Sequence, residues 1–259
     1  SSRDEGCPAI LEASAPTLTA LTPAYNTRTQ SLIEGITHGA DTLYGSTLEP
    51  YPTLWVYLPY DLTPNRPGEL RAEVVGEDGI PIQKTLITYT DVPRGIVGIP
   101  LEGTAFEPLA IGEWRDLIFI IQCDRDDAAR NLYVGFTVQR VAPLIDPDHP
   151  GHPTPASLAA VAPLDHGPED IGTTANPDSG SSLKAATLER AAMLGEAGVW
   201  YDLLTTLAGL RRTDHDDADL AAHWGHLLES IGLADIADQP LSNCCTVPDH
   251  LAVETATPE

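Results

Sequence analysis

The chain has 259 residues, 42% of them hydrophobic, enough for a real core and for one large domain or a domain with a smaller partner. Against 38 acidic side chains stand 14 basic ones, leaving a net charge of −24 at neutral pH, with lysine only at Lys84 and Lys184. That balance excludes a basic stripe for phosphate backbones, so nucleic acid is not expected as a partner, and an anionic membrane surface would repel the chain. The longest apolar stretch, Leu117 to Ile121, is strand-sized and far short of a membrane span.

The polar start Ser1-Ser2-Arg3-Asp4-Glu5-Gly6 and the lone methionine, Met193, predict a processed N-terminus, as after removal of a signal peptide. From Ala15 to Ala142 the pattern is strand-like. Thr17 to Leu21, Thr53 to Tyr60, Leu70 to Glu77, Pro81 to Thr90, Gly95 to Leu101, Glu113 to Cys123 and Leu132 to Val141 are short runs rich in β-branched and aromatic residues. Leu54 to Leu58 is continuously apolar, which suits a central strand covered on both faces. Asp78-Gly79 predicts a hairpin turn, and Gly135 a bulge in the last strand. Strands at this spacing predict an Ig-like antiparallel β-sandwich over residues 1–142, with an extended N-terminal segment ahead of it.

Residues 143–182 are interrupted by eight prolines, from Pro143 to Pro177, with Gly, Asp and Ser between them, and read as an arm or linker. Helical spacing governs residues 183–233. Leu188, Ala191, Ala192 and Leu194 suggest a first helix. A second follows from Trp200, Leu203, Leu204, Leu207 and Leu210, with Arg211 and Arg212 in its last turn. The third has an acidic cap near Asp216-Asp217, a stripe of Leu220, Trp224, Leu227, Leu228 and Ile231, and Gly232 at its end. Residues 234–259 read as an irregular acidic tail. The fold class is therefore mainly β with an α-helical C-terminal part.

Four cysteines allow three pairings and fit no zinc-site spacing. A Cys7–Cys123 bridge is preferred, leaving Cys244 and Cys245 as a vicinal bridge or two intermolecular half-bridges, in an oxidising compartment. Asp124, Asp126 and Asp127 are the only calcium candidates, and they fail the EF-hand pattern because Ala128 replaces a ligand. His149 and His152 sit in a Pro-rich loop, and His223 with His226 on one helix lacks a metalloprotease glutamate. No nucleophile elbow, phosphate loop or dinucleotide fingerprint occurs, so no catalytic residue and no cofactor is expected.

Several stretches resemble one family. Tyr51-Pro52-Thr53-Leu54-Trp55-Val56-Tyr57-Leu58-Pro59-Tyr60, Gly95 to Leu101, Ile121-Gln122-Cys123-Asp124, Gly198 to Ala208 and Trp224 to Leu228 are similar to a cyanobacterial family known as domain of unknown function 928. The resemblance implies an exported cyanobacterial protein and supplies no catalytic residue to carry over. After Cys123-Asp124, where the family tends to have Asp-Arg-Ser, this chain reads Asp127-Ala128-Ala129-Arg130, so no role of that serine transfers.

The sequence thus predicts a structural, self-assembling protein of the cell surface or extracellular matrix, acting on copies of itself. The assembly strand expected is Thr17, Leu18, Thr19, Ala20 and Leu21, added to a neighbour's sheet edge to build a filament. The alternative is a module that binds extracellular polysaccharide through Trp55, Tyr57, Tyr60 or Trp114, and a secreted hydrolase is the third reading.

Overall fold

A computed structural model describes residues 7, 16–25, 42–75, 81–143, 177–242 and 244. Ten strands are present among them: β1 Thr19–Ala20, β2 Ala24–Tyr25, β3 Thr42–Thr47, β4 Thr53–Leu58, β5 Gly68–Val75, β6 Pro81–Tyr89, β7 Gly95–Pro100, β8 Trp114–Ile121, β9 Leu132–Arg140 and β10 Leu241–Ser242. They form a four-stranded sheet, β1-β4-β7-β10, and a six-stranded sheet, β2-β3-β9-β8-β5-β6. Three helices follow the sandwich strands: α1 Pro177–Glu196, α2 Trp200–Thr213 and α3 Ala218–Ser230.

Side-chain alternation along β4 explains the layering. Leu54, Val56 and Leu58 point into the space between the two sheets, where they meet Leu70 of β5, Leu117 and Phe119 of β8, and Val138 of β9. Trp55 and Tyr57, on the other face of the same strand, pack with Ile96, Leu204, Leu207 and Trp224 in a second core. The apolar run of β4 is continuous because both of its faces are covered. The result is three layers: a six-stranded sheet, a four-stranded sheet and a helical layer.

The β-rich sandwich and the helical C-terminal part match the expectation from sequence. Most pairings are antiparallel, but β3 lies parallel to β9 and β10 parallel to β7. Both parallel pairs join segments far apart in sequence, as parallel pairing requires. Gly135 sits in a regular pair with Ile118, so the expected bulge is absent there. The register shift falls instead between Val74 and Val75, next to the β5–β6 connection. The Asp78-Gly79 turn itself lies outside the described residues, although β5 and β6 pair antiparallel as a hairpin would. Helix α1 begins at Pro177, inside the stretch that reads as an arm, and the nominal tail contributes β10 to the four-stranded sheet.

Helices α2 and α3 are oriented by their stripes. In α2, Leu203, Leu204, Leu207 and Leu210 are buried, and in α3 Leu220, Trp224 and Leu228. The Asp217 carboxylate accepts the N–H groups of Asp219 and Leu220 at 2.8 and 2.9 Å, a side-chain N-cap for α3. Lys184 of α1 reaches the Asp214 carboxylate at 3.1 Å and that of Asp217 as well, tying α1 to the α2–α3 turn. Trp55 and Trp224 meet edge-to-face at 6.5 Å, and the Trp55 indole N–H donates to the Thr205 hydroxyl at 3.0 Å.

Gly95 shows why β10 can close the sheet. Its φ is +124°, and a Cβ there would stand 2.5 Å from the Pro240 carbonyl oxygen, the oxygen that accepts the Ile96 N–H at 2.8 Å. Gly95→Val therefore combines a disfavoured backbone region with a backbone clash, and about 1–3 kcal/mol of stability should be lost. Urea denaturation would check this, and an unchanged midpoint would contradict it.

Candidate interaction surface

The segment expected to serve as an assembly strand is held inside its own subunit. Thr19 pairs with Tyr57 and Ala20 with Val56, antiparallel to β4. Leu18, Ala20 and Leu21 are buried, the last completely. The Leu21 N–H donates to the Trp55 carbonyl at 2.9 Å. From α2, the Trp200 indole N–H donates to the Leu21 carbonyl at 2.8 Å, and the Tyr201 hydroxyl lies 3.3 Å from that of Thr22. The helical layer thus clamps the N-terminal strand onto the four-stranded sheet.

The outer faces of the two sheets differ. Helices cover that of the four-stranded sheet, whereas the six-stranded sheet presents exposed apolar side chains on its far side. Leu117, Phe119 and Ile121 of β8 point inward, so Trp114, Asp116, Ile118 and Ile120 point outward. Across the pair, Ile118 stands opposite Gly135 and Arg71, and Ile120 opposite Tyr133. Tyr133 is 76% exposed and Ile118 44%, values unusual for large apolar side chains on a sheet. Gly135 adds no side chain beside Ile118, so the isoleucine stands free on that flank.

Polar groups frame this strip. The Thr137 hydroxyl donates to Asp116 at 2.5 Å. Arg71 pairs with Glu69, which also accepts from the Gln122 amide. At one end Tyr44 and Trp114 lie with ring centroids 5.0 Å apart, and the Tyr44 hydroxyl donates to Gln139 at 2.8 Å. Trp114 and Ile120, the neighbour of Tyr133, are six residues apart on β8, so the strip runs roughly 20 Å.

The four edges of the sheets also differ. Strands β1, β2 and β10, which end three of them, have two residues each, whereas β6 at the fourth has nine. Short edge strands offer little template for added strands, and a long one offers a full ladder.

The other residues singled out from sequence take local roles. Trp55 and Tyr57, offered as glycan contacts, are core residues because the helical layer covers their face of β4. Tyr60 lies under the Arg66 guanidinium at 5.1 Å, and Trp114 remains on the surface. The Asp124 carboxylate accepts the N–H groups of Asp126 and Asp127 at 2.9 and 3.2 Å, which holds it below the ordinary carboxylate range. Asp127 caps the following 3-10 turn through the Ala129 N–H at 3.1 Å, and Arg130 pairs with both Asp124 and Asp127. The loop therefore satisfies its own acids, and Asp126 is exposed. No group of three potential metal ligands occurs among the described residues. The His223 Nδ1 lies 2.7 Å from the Asp219 carbonyl one helical turn earlier, and His149 and His152 lie outside the described residues.

Cys7 and Cys123 form a disulfide, linking the N-terminal segment to the end of β8. Cys244 is also disulfide-bonded and packs against the sandwich core, while Cys245 lies outside the described residues.

One polar group went unnoticed in the sequence. Asp202 of α2 is 7% exposed, accepts the Thr47 hydroxyl at 2.7 Å, and lies 3.3 Å from the Leu48 N–H. Burial pushes its pKa up from 3.8 to about 6, opposed by the Thr47 hydrogen bond and the Arg190 charge and reinforced by Glu49. It joins the helical layer to β3, a strand also missed. An acid inside the apolar run Trp200 to Leu204 was the available signal.

A family model described as Domain of Unknown Function (DUF928) matches residues 1–147 and 173–241. The chain belongs to the DUF928 family. The match spans the sandwich and the helical layer of this DUF928 chain, leaving unmatched a stretch of the Pro-rich segment and the C-terminal end. No curated protein and no solved structure matches it. No helix among its described residues is long and apolar enough to cross a membrane.

Proposed function

We propose that this DUF928 chain is a non-catalytic structural protein that assembles with copies of itself at the cell surface or in the extracellular matrix of a cyanobacterium, extending to filaments. The observation that carries the reading is the apolar strip on the outer face of the six-stranded sheet, where Ile118 and Tyr133 are exposed at diagonal positions of the β8–β9 pair while the four-stranded sheet is covered by helices. Exposed apolar strips of this kind favour protein contact, because an aliphatic side chain such as Ile118 gains from burial and offers no stacking plane to a sugar. Export is supported by the disulfides, which persist in oxidising compartments, and by the acidic surface, which keeps the chain soluble there.

Ile118→Arg tests the reading. The side chain is exposed, so folding stability should change by no more than about 0.5 kcal/mol, while self-association measured by light scattering behind size exclusion falls at least about tenfold. Undiminished association in a folded variant would remove the strip from the interface.

A second reading, binding of extracellular polysaccharide, is favoured by the adjoining Tyr44 and Trp114 rings with Gln139 beside them. Glycan-array binding by the monomer, lost on Trp114→Ala, would shift the assignment to it.

A further inference from the structure

Resting on the self-assembly reading, we infer that copies join through β6, pairing antiparallel with the β6 of a second copy so that two six-stranded sheets become one continuous sheet. The edge is selected first by length. β6, Pro81–Tyr89, ends the six-stranded sheet and is the only long terminal strand among the described residues, the other three edges being two-residue strands. Its inner partner is β5 alone, paired from Gly68 with Tyr89 to Val75 with Pro81. No other backbone hydrogen bond between described residues involves β6.

Charge selects the same edge. Copies of a chain with net charge −24 repel one another, so a self-pairing strand must be locally free of acids. Between Asp78 and Asp91 the sequence holds no acidic residue, and it carries Lys84, one of two lysines in the chain. The lysine excludes the register centred on itself, which would set Lys84 against its own counterpart. Lysine on an edge discourages pairing that would place it opposite a like charge, and antiparallel pairing centred near Leu86 puts Lys84 across from Thr88 of the second copy. Leu86 is half-buried and Thr88 exposed, on the face that β6 shares with Arg71 and Ile118. A β6–β6 junction therefore continues this outer face across both copies, with the Arg71–Glu69 pair of β5 standing between Ile118 and Leu86 in each. The symmetry is two-fold and isologous, so β6 closes a dimer, and longer polymers would need the sheet face as a second contact.

Thr88→Glu and Leu86→Glu together would place acids on this edge in the full-length, disulfide-bonded chain. Sedimentation velocity should show the dimer weakened at least tenfold, with far-ultraviolet circular dichroism unchanged. Amide exchange read by mass spectrometry on the wild type provides a second measurement that needs no variant: peptides covering β6 should gain protection as concentration rises. Self-association that persists in the double variant, with β6 exchange independent of concentration, would overturn the β6 junction and leave the self-assembly reading standing. A wild type that is monomeric at every concentration would overturn both readings.

Discussion

Replacing Cys7 and Cys123 by serine should lower the folding stability of this chain by about 2–5 kcal/mol. The bridge closes a loop of 116 residues, and in the chain-entropy description a loop near that length is worth about 4.7 kcal/mol through restriction of the unfolded chain. Its contribution in the folded state lies at a junction. Cys123 stands two residues after β8, its N–H donates to the Asn131 side chain at 2.9 Å, and it is part of the sandwich core against which Cys7 packs. Cys7 anchors the segment that leads into β1, which α2 holds through Trp200 and Tyr201. Loss of the bridge should therefore loosen β1 before the six-stranded sheet. Guanidinium denaturation of the double serine variant would report the loss, and the variant is preferable to reductant because Cys244 is in a disulfide as well. A midpoint equal to that of the wild type would show that the bridge contributes nothing to stability.

Asp202→Asn should flatten the dependence of stability on pH. The Asp202 pKa is about 6 in the folded chain against 3.8 ordinarily, so the folded state holds this proton more tightly than the unfolded one. A raised folded value means that stability is greatest below about 3.8, falls as pH rises, and reaches its floor above about 6. The difference between the two limits is roughly 3 kcal/mol at this buried group. Asparagine keeps an oxygen to accept from Thr47 and the Leu48 N–H, and it removes the charge that burial penalises. The variant should be at least as stable as the wild type at pH 7. Its advantage should disappear by pH 4, where the wild-type carboxyl is protonated. Urea titrations at pH 4, 5, 6 and 7 would check it, and parallel profiles for the two proteins would show that Asp202 is not the group responsible. General relief of acidic repulsion at low pH acts on both proteins alike and cancels in the comparison.

The sandwich was legible in the sequence where apolar residues alternate or run together. Leu54 to Leu58 indicated a strand covered on both faces, and Leu203, Leu204, Leu207 and Leu210 indicated the buried stripe of α2. Strand β3 escaped because Gly45 and Ser46 interrupt it as a turn would. Gly45 is required there for another reason, since a Cβ would come within 2.7 Å of the Tyr201 ring. Strand β10 escaped because two residues carry no period, and its place depends on Pro240 meeting Gly95, a contact between distant segments. Of the aromatic candidates, Trp55 and Tyr57 could not be told from Trp114 by local pattern. Which face a helix layer covers is decided by tertiary packing. The exposed strip was invisible for the same reason, because Ile118 and Tyr133 become neighbours only through the β8–β9 register.

Sedimentation velocity of the purified chain, over a wide concentration range at two ionic strengths, tests the proposed self-association through the exposed strip of the six-stranded sheet. With a net charge of −24, copies repel strongly in dilute salt. Raising the salt from about 0.01 M to 0.15 M shortens the screening length from about 30 Å to 8 Å. The sedimentation coefficient should rise with concentration, and at lower concentration in the higher salt. A single monomeric boundary at every concentration in both salts would contradict it.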